Sequence, residues 1–272
     1  MTHAEYEAVR HLAIRWTIEA GAIARDRLGL AVASRKADQS VVTDADLAVQ
    51  ELLLERIGAT FSDDAAITEE SQSRPCRHAS TASAKRCWVI DPIDGTRNYA
   101  RGFPLFSVAV ALLDQGRPVV GVVHNPISGQ MFSAVSGGGA WCDGRRLAVR
   151  DQPASPDTVI AVPSARRGPL PRFLHEWMDR MVLRNVGSTA LHLAMVACGA
   201  ADAAYSDDCR LWDMAAGALI ASEAGATVVR PDGGALFPID PAGYREEDLP
   251  FLAAAPALAR ELLADCAAST RS

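Results

Sequence analysis

Asp91-Pro92-Ile93-Asp94-Gly95-Thr96 is the stretch whose residue types and spacing best suit chemistry. Two carboxylates three residues apart in a loop can converge on one point. The Ile93 carbonyl, with no ladder partner expected, can add a third oxygen. Gly95 permits close backbone approach, so an amide can point at an anion, and Thr96 adds a hydroxyl. Hard oxygen ligands beside backbone amides suit magnesium and phosphate together. The same string also fits a capped turn in which Asp and Gly only shape the loop.

Other carboxylates lie at comparable places. Glu69-Glu70 follows the apolar Ala65-Ala66-Ile67, another strand end. Asp213 follows Leu211-Trp212 and opens a helix, where it is either an N-cap or a ligand. Asp46 sits at the start of a helix, a position where an acidic residue ordinarily complements the helix dipole.

These residues need elements to position them. Ala4 to about Leu28 reads as a helix with Val9, Leu12, Ala13, Trp16 and Ala20 near one face and Gly29 as a stop. Thr43 or Asp44 caps a second helix in which Leu47, Leu53, Leu54 and Ile57 recur on one side. Ser71 to Lys85 is polar and reads as a loop. Trp88-Val89-Ile90 is a buried strand ending at Asp91-Pro92 and feeding a loop, since proline cannot extend a ladder. Ser107–Leu113, Pro118–His124 and Gln130–Val135 form an antiparallel meander. Gly137-Gly138-Gly139 reads as a flexible joint and Cys142-Asp143-Gly144-Arg145 as a hairpin turn.

Beyond Pro153 and Pro156 the pattern alternates. Strands are expected near Val159, Leu183, Ala203–Tyr205, Thr227–Val229 and Phe251–Ala254. Helices are expected at Phe173–Met181, Thr189–Cys198, Met214–Ala224 and Ala257–Ala267. The fold class is α/β, with helices and sheets in layers. A lobe boundary falls in Asp151–Asp157. Residues 1–150 then form an α+β lobe carrying most ligands, and 151–272 an α/β lobe contributing Asp213, joined as one unit.

Composition narrows the function. The chain has 272 residues, 49% of them hydrophobic, and a formal net charge of -6. An acidic chain with no basic block argues against direct nucleic-acid binding and against an anionic membrane surface. The start of the sequence lacks a signal-peptide layout and no stretch has the length of a membrane span, so the cytoplasm is the expected compartment. The six cysteines form no Cys-x-x-Cys pair and read as reduced thiols. His11, His78, His124, His175 and His192 read as structural, because a site of this type wants oxygen ligands.

Taken together, the strings resemble the inositol monophosphatase family. The matches are Lys36 with Val41-Val42-Thr43-Asp44-Ala45-Asp46, Glu69-Glu70-Ser71, Trp88 through Thr96 with Asn98, Gly187-Ser188-Thr189-Ala190, and Leu211-Trp212-Asp213 with Ala216-Gly217. The resemblance implies an αβαβα sandwich and a lithium-sensitive, metal-dependent phosphatase, commonly a homodimer, with two or three Mg2+ ions. By position, Glu69, Asp91 and the Ile93 carbonyl would hold one ion, and Asp91, Asp94 and Asp213 a second. Glu70 and Asp46 would orient water and Thr96 would assist the nucleophile. Gly95 and Thr96 amides would hold phosphate. Gly187, Ser188, Thr189 and Ser206 would contact substrate, and Lys36 would sit on a mobile loop.

Three positions depart from the family pattern: Thr68 for a usual glycine, Ser40 for a frequent aspartate, and Ser206 for a frequent glutamate that binds sugar hydroxyls. The leading expectation for the substrate, inositol 1-phosphate or a similar polyol phosphate, rests instead on the Gly187-Ser188-Thr189-Ala190 string and the Ala215-Ala216-Gly217 helix. Histidinol phosphate and adenosine 3′,5′-bisphosphate are alternatives. A role as a transcription-associated binding partner is the non-enzymatic alternative.

Overall fold

The computed structural model describes residues 1–35, 41–70, 85–163 and 169–269. Thr2 caps helix α1 (His3–Arg27): Glu5 N donates to its hydroxyl at 3.3 Å, and Thr2 N donates back to Glu5 Oε2 at 2.6 Å. The reciprocal pair satisfies two donors that a helix start leaves over. Val9, Ala13, Trp16 and Ala20 form the buried face, as their spacing implies. A short antiparallel pair, β1 (Ala33–Arg35) and β2 (Val41–Thr43), leads into α2 (Asp44–Thr60), which Thr43 caps. The buried stripe of α2 is Ala45, Val49, Leu53 and Ile57, while Leu47 is 40% exposed. The stripe is turned from the leucine-based expectation because Asp46 and Gln50 also face inward.

The first sheet follows chain order. It comprises β3 (Ala65–Thr68), β4 (Arg86–Asp94), β5 (Ser107–Asp114), β6 (Arg117–His124), β7 (Met131–Val135), β8 (Gly139–Cys142) and β9 (Arg145–Arg146), with the one-turn helix α3 (Thr96–Tyr99) after β4. Only β3 and β4 pair parallel. Strand side chains alternate between faces, and here both faces are covered. Trp88, Ile90, Val108 and Val110 pack under α1 and α2, while Val89, Ala109 and Ala111 face a different cluster that includes Leu193 and Ala215. That is why these strands read as continuous apolar runs rather than as alternating ones.

The second sheet has the order β11-β10-β12-β14-β13. Its elements are β10 (Val159–Ala161), α4 (Arg172–Arg180), β11 (Val182–Arg184), α5 (Thr189–Cys198), β12 (Ala203–Ser206), α6 (Leu211–Glu223), β13 (Thr227–Val229), β14 (Phe251–Ala254) and α7 (Pro256–Ser269). Helices α5 and α6 lie between the sheets, and α4 and α7 cover the outer face of the second. The layers are therefore αβαβα. One buried cluster takes Val89 and Ala134 from before position 150 and Leu193, Ala215 and Phe251 from after it, so packing is continuous across that position. Close approach depends on small residues: a Cβ at Gly121 of β6 would sit 2.7 Å from the Ala216 carbonyl of α6.

Two local expectations are corrected. β4 does not stop at Asp91. It pairs with β5 at Asp91↔Ala109, skips, and pairs again at Asp94↔Ser107. Pro92 cannot donate to the ladder, and an irregularity absorbs the missing bond, leaving the strand bent rather than ended. Nor is Gly137–Gly139 a flexible joint. Gly137 N and Gly139 N donate to the two oxygens of Glu223, at 2.8 and 2.9 Å, which pins the turn to the end of α6. Residues 71–84 of the expected polar loop lie outside the described residues.

His192 on α5 is buried and accepts Val186 N at 3.0 Å through Nε2. Burial pushes its pKa down to about 4. The folded state thus binds fewer protons than the unfolded chain near pH 5. His192 stabilises the fold above pH 6.5, and that contribution is lost as pH falls toward 4, up to about 3 kcal/mol. His192→Gln keeps an acceptor without the titration. Urea unfolding at pH 7.5 and 4.5 should show a smaller acid loss for His192→Gln than for wild type; equal losses would remove His192 from the account.

Candidate active site

The ends of β3 and β4 and the starts of α5 and α6 meet at one place, and all but α5 bring carboxylates. The parallel pairing of β3 and β4 sets Thr68 opposite Ile90, so Glu69 reaches the level of Asp91, and Glu69 N donates to Ile90 O at 3.3 Å. Asp91 is 1% exposed on β4, and neither of its oxygens receives a hydrogen bond among the described residues. Asp94, past the irregularity, meets the start of α5. Asp213 stands in the first turn of α6, which opens at Leu211. It accepts Arg210 N at 2.5 Å and so serves as a capping group without being the N-cap residue. One oxygen each from Asp91, Asp94 and Asp213 lies within 4.8 Å of the others.

No lysine or arginine among the described residues forms an ion pair with these three or with Asp46. The electrostatic consequence is plain. Burial first, then Glu69, Asp94 and Asp213, hold the Asp91 carboxyl well above its ordinary range. Asp213 is raised by burial, then by Asp94 and Glu69. Burial raises Asp94 to about 6, opposed by its hydrogen bonds from Ser188, Ala190 and Thr189. Such a cluster is repulsive as it stands, and a divalent cation fits it. Carboxylates at these positions are hard oxygen donors, and the two undonated Asp91 oxygens have open lone pairs.

A second set of groups adjoins the cluster. Asp46 is fully buried in the first turn of α2, where Thr43 N and Thr43 Oγ1 donate to it at 2.8 and 2.5 Å. Burial raises its pKa to about 6, with the Glu70 charge adding to the rise. Thr96 Oγ1 lies 3.3 Å from Asp46 Oδ1 and 3.0 Å from the Ile93 carbonyl, so its one proton has two acceptors. Gly95 has φ +99°, which lets the chain turn from β4 into α3. Glu70 is buried, and its backbone is gripped by Gln50: Glu70 N donates to Gln50 Oε1 at 3.2 Å and Gln50 Nε2 donates to Glu70 O at 3.3 Å.

The expected substrate contacts have varied surroundings. Gly187 (φ +76°) packs against the Asn98 amide, whose Nδ2 donates to Leu105 O and Val186 O at 2.6 and 2.7 Å. Ser188 is 1% exposed and donates to Asp94; Thr189 N and Ala190 N do the same. Ser206 ends β12, buried, and accepts Asp208 N at 3.4 Å. Lys36 lies outside the described residues. Sequence reasoning gave Gln50 no part. The signal it offered was placement one turn after Asp46, hence on the same helix face.

Known proteins resemble this chain in sequence and in fold. The model of the inositol monophosphatase family matches residues 5–270. A Pasteurella multocida protein named Nus factor SuhB is 34% identical over 235 residues, covering 84% of this chain and 83% of its own. Pig inositol monophosphatase 1 is 32% identical over 228 residues, covering 79% and 81%. The crystal structure of the extragenic suppressor protein suhB from Bartonella henselae superposes with a TM-score of 0.83 at 28% identity, over 95% of this chain and 98% of that one.

Proposed function

From membership of the inositol monophosphatase family, to which this chain belongs, we propose that it hydrolyses a polyol phosphate such as inositol 1-phosphate with Mg2+ as cofactor. That the chain is a phosphoric monoester hydrolase follows from the family and its relatives. The Mg2+ reading is carried by one observation: among the described residues, Asp91 is buried with both oxygens undonated, within a triad of carboxylates that no side-chain cation balances.

Glu69, Asp91, the Ile93 carbonyl, Asp94 and Asp213 would hold the ions. When bound, Mg2+ would supply the positive charge that a dianionic ester needs and would acidify a water. Around it the chain's own groups orient and deprotonate. Thr96 Oγ1 can take a proton from water as it gives its own to Asp46 Oδ1, which the hydrogen bond already joins. Glu70, fixed by Gln50, would orient that water. Gly95 and Thr96 amides would face the phosphate, and Gly187, Thr189 and Ser206 the alcohol. Two further expectations belong to this reading, a homodimer and inhibition by lithium.

The test is phosphate release with Mg2+ and with EDTA, from inositol 1-phosphate, histidinol phosphate, adenosine 3′,5′-bisphosphate and fructose 1,6-bisphosphate. A preference for inositol 1-phosphate that chelator abolishes is the expected result. Preference for another of the four replaces the substrate and keeps the chemistry. A second reading, a binding role in transcription, is favoured by the relative named Nus factor SuhB. Folded protein that releases phosphate from none of the four would turn the weight to it.

A further inference from the structure

Asp94 and Asp91 are both buried carboxylates of the same cluster, yet their hydrogen bonding is opposite. Asp91 receives no hydrogen bond among the described residues. Among the described residues Asp94 receives three from the start of α5: Ser188 Oγ at 2.5 Å and Ala190 N at 2.7 Å on Oδ2, and Thr189 N at 3.2 Å on Oδ1, with the Ser107 hydroxyl as a further polar neighbour. A carboxylate oxygen has two lone pairs in its plane. Two short bonds therefore fill Oδ2, whereas Oδ1 holds one long bond and keeps a lone pair. Ser188 itself is committed. It caps α5 by accepting Leu191 N at 3.2 Å, and its oxygen lies 3.2 Å from Ser107 Oγ. A hydroxyl that gives its one proton to Asp94 has none left for a substrate.

We infer that Ser188 is a positioning residue for the metal rather than a substrate contact, and that α5 fixes Asp94 so that only Oδ1 is offered to a cation. This rests on the metal-dependent reading above. Removing the Ser188 hydroxyl leaves Oδ2 with the Ala190 N bond alone, opens one of its lone pairs and lets the carboxylate rotate away from its single productive orientation. Loss of a group that orients a metal ligand commonly weakens metal affinity 10- to 100-fold.

The experiment is calorimetric titration of Mg2+, with Mn2+ as a second probe, into wild type, Ser188→Ala, Ser188→Gly and Ser188→Thr. Substrate KM is measured alongside at saturating metal. Glycine is a tolerated N-cap, so Ser188→Gly keeps the test alive if the alanine protein fails to fold. Metal Kd should rise about tenfold or more in the alanine and glycine proteins, with KM within about twofold of wild type, and threonine should restore the wild-type Kd. An unchanged metal Kd with a raised KM would return Ser188 to the substrate site and overturn the inference. Wild type that binds neither ion overturns both this and the metal reading. Wild type that binds metal but hydrolyses no ester fails the proposed function alone, because the Kd comparison reads Ser188 without turnover.

Discussion

Metal-free Asp91→Asn protein is expected to melt a few degrees above metal-free wild type while hydrolysing phosphate esters about a thousandfold more slowly when Mg2+ is restored. Both effects come from one geometry. Asp91 is 1% exposed, lies against Asp94 and Asp213, and receives no hydrogen bond among the described residues. A buried, unsatisfied polar group costs about 1–3 kcal/mol, more when charged. An amide of the same shape removes the charge and can donate to a neighbouring carboxylate. For a chain of this size a gain of 1 kcal/mol moves Tm by roughly 2–4 °C. The loss of activity follows because a metal site supplies several kcal/mol of charge stabilisation in the transition state, and each 1.36 kcal/mol is about tenfold in rate.

Asp94→Asn supplies the contrast within the same cluster. Its oxygens accept from Ser188, Thr189 and Ala190, so an amide nitrogen in place of one oxygen sets donor against donor. This variant should lose activity as well, but it should melt below metal-free wild type, by about 1–2 kcal/mol of stability. Thermal melts in EDTA decide between the two. If Asp91→Asn melts lower than wild type, the repulsive, undonated cluster is not what limits metal-free stability.

The carboxylate loop was legible because its chemistry-bearing residues are adjacent in the chain: Asp91, Ile93, Asp94 and Thr96 fall within six residues. The second-half elements were legible for a similar reason. Several of them are short, apolar and bounded by Gly, Pro or a cap, and the expected Thr189–Cys198 helix, between the Ser188 cap and Gly199, coincides with α5. What escaped was register and long-range pairing. Ser188 and Asp94 are 94 positions apart, and nothing in a linear reading says that the start of one element will grip the end of another. Glu223 and Gly137 are hidden in the same way. The α2 stripe was misjudged because leucine spacing was weighed and burial of Asp46 and Gln50 was not, although polar groups turned inward are what a site requires. Continuation of β4 past Pro92 depends on an irregularity opposite β5 that only the partner strand reveals.

Gly95→Ala should be among the most damaging single-methyl changes in the molecule, and Gly29→Ala shows why. Both glycines have positive φ, +99° and +78°. A β-carbon in that conformation costs roughly 1–2 kcal/mol at either position. At Gly29 the new methyl meets nothing within 4 Å, so the cost ends there. At Gly95 it would stand 3.0 Å from Gly187 O and 3.2 Å from Leu105 O. Neither atom is free to yield, since the Asn98 amide ties Leu105 O to Val186 O, next to Gly187. Overpacking of this kind adds about 1–3 kcal/mol, bringing the total to about 2–5 kcal/mol against 1–2 for the control. The loop relieves the contact by moving Asp94 and Thr96 away from Ser188 and Asp46, and a displacement near 1 Å at a reacting centre costs about a hundredfold in rate. Urea unfolding and turnover of the two variants, measured side by side, test this. Equal destabilisation, or Gly95→Ala protein keeping more than about a tenth of wild-type turnover, would mean that the interlock between the Asp91–Thr96 loop and the start of α5 is looser than these distances require.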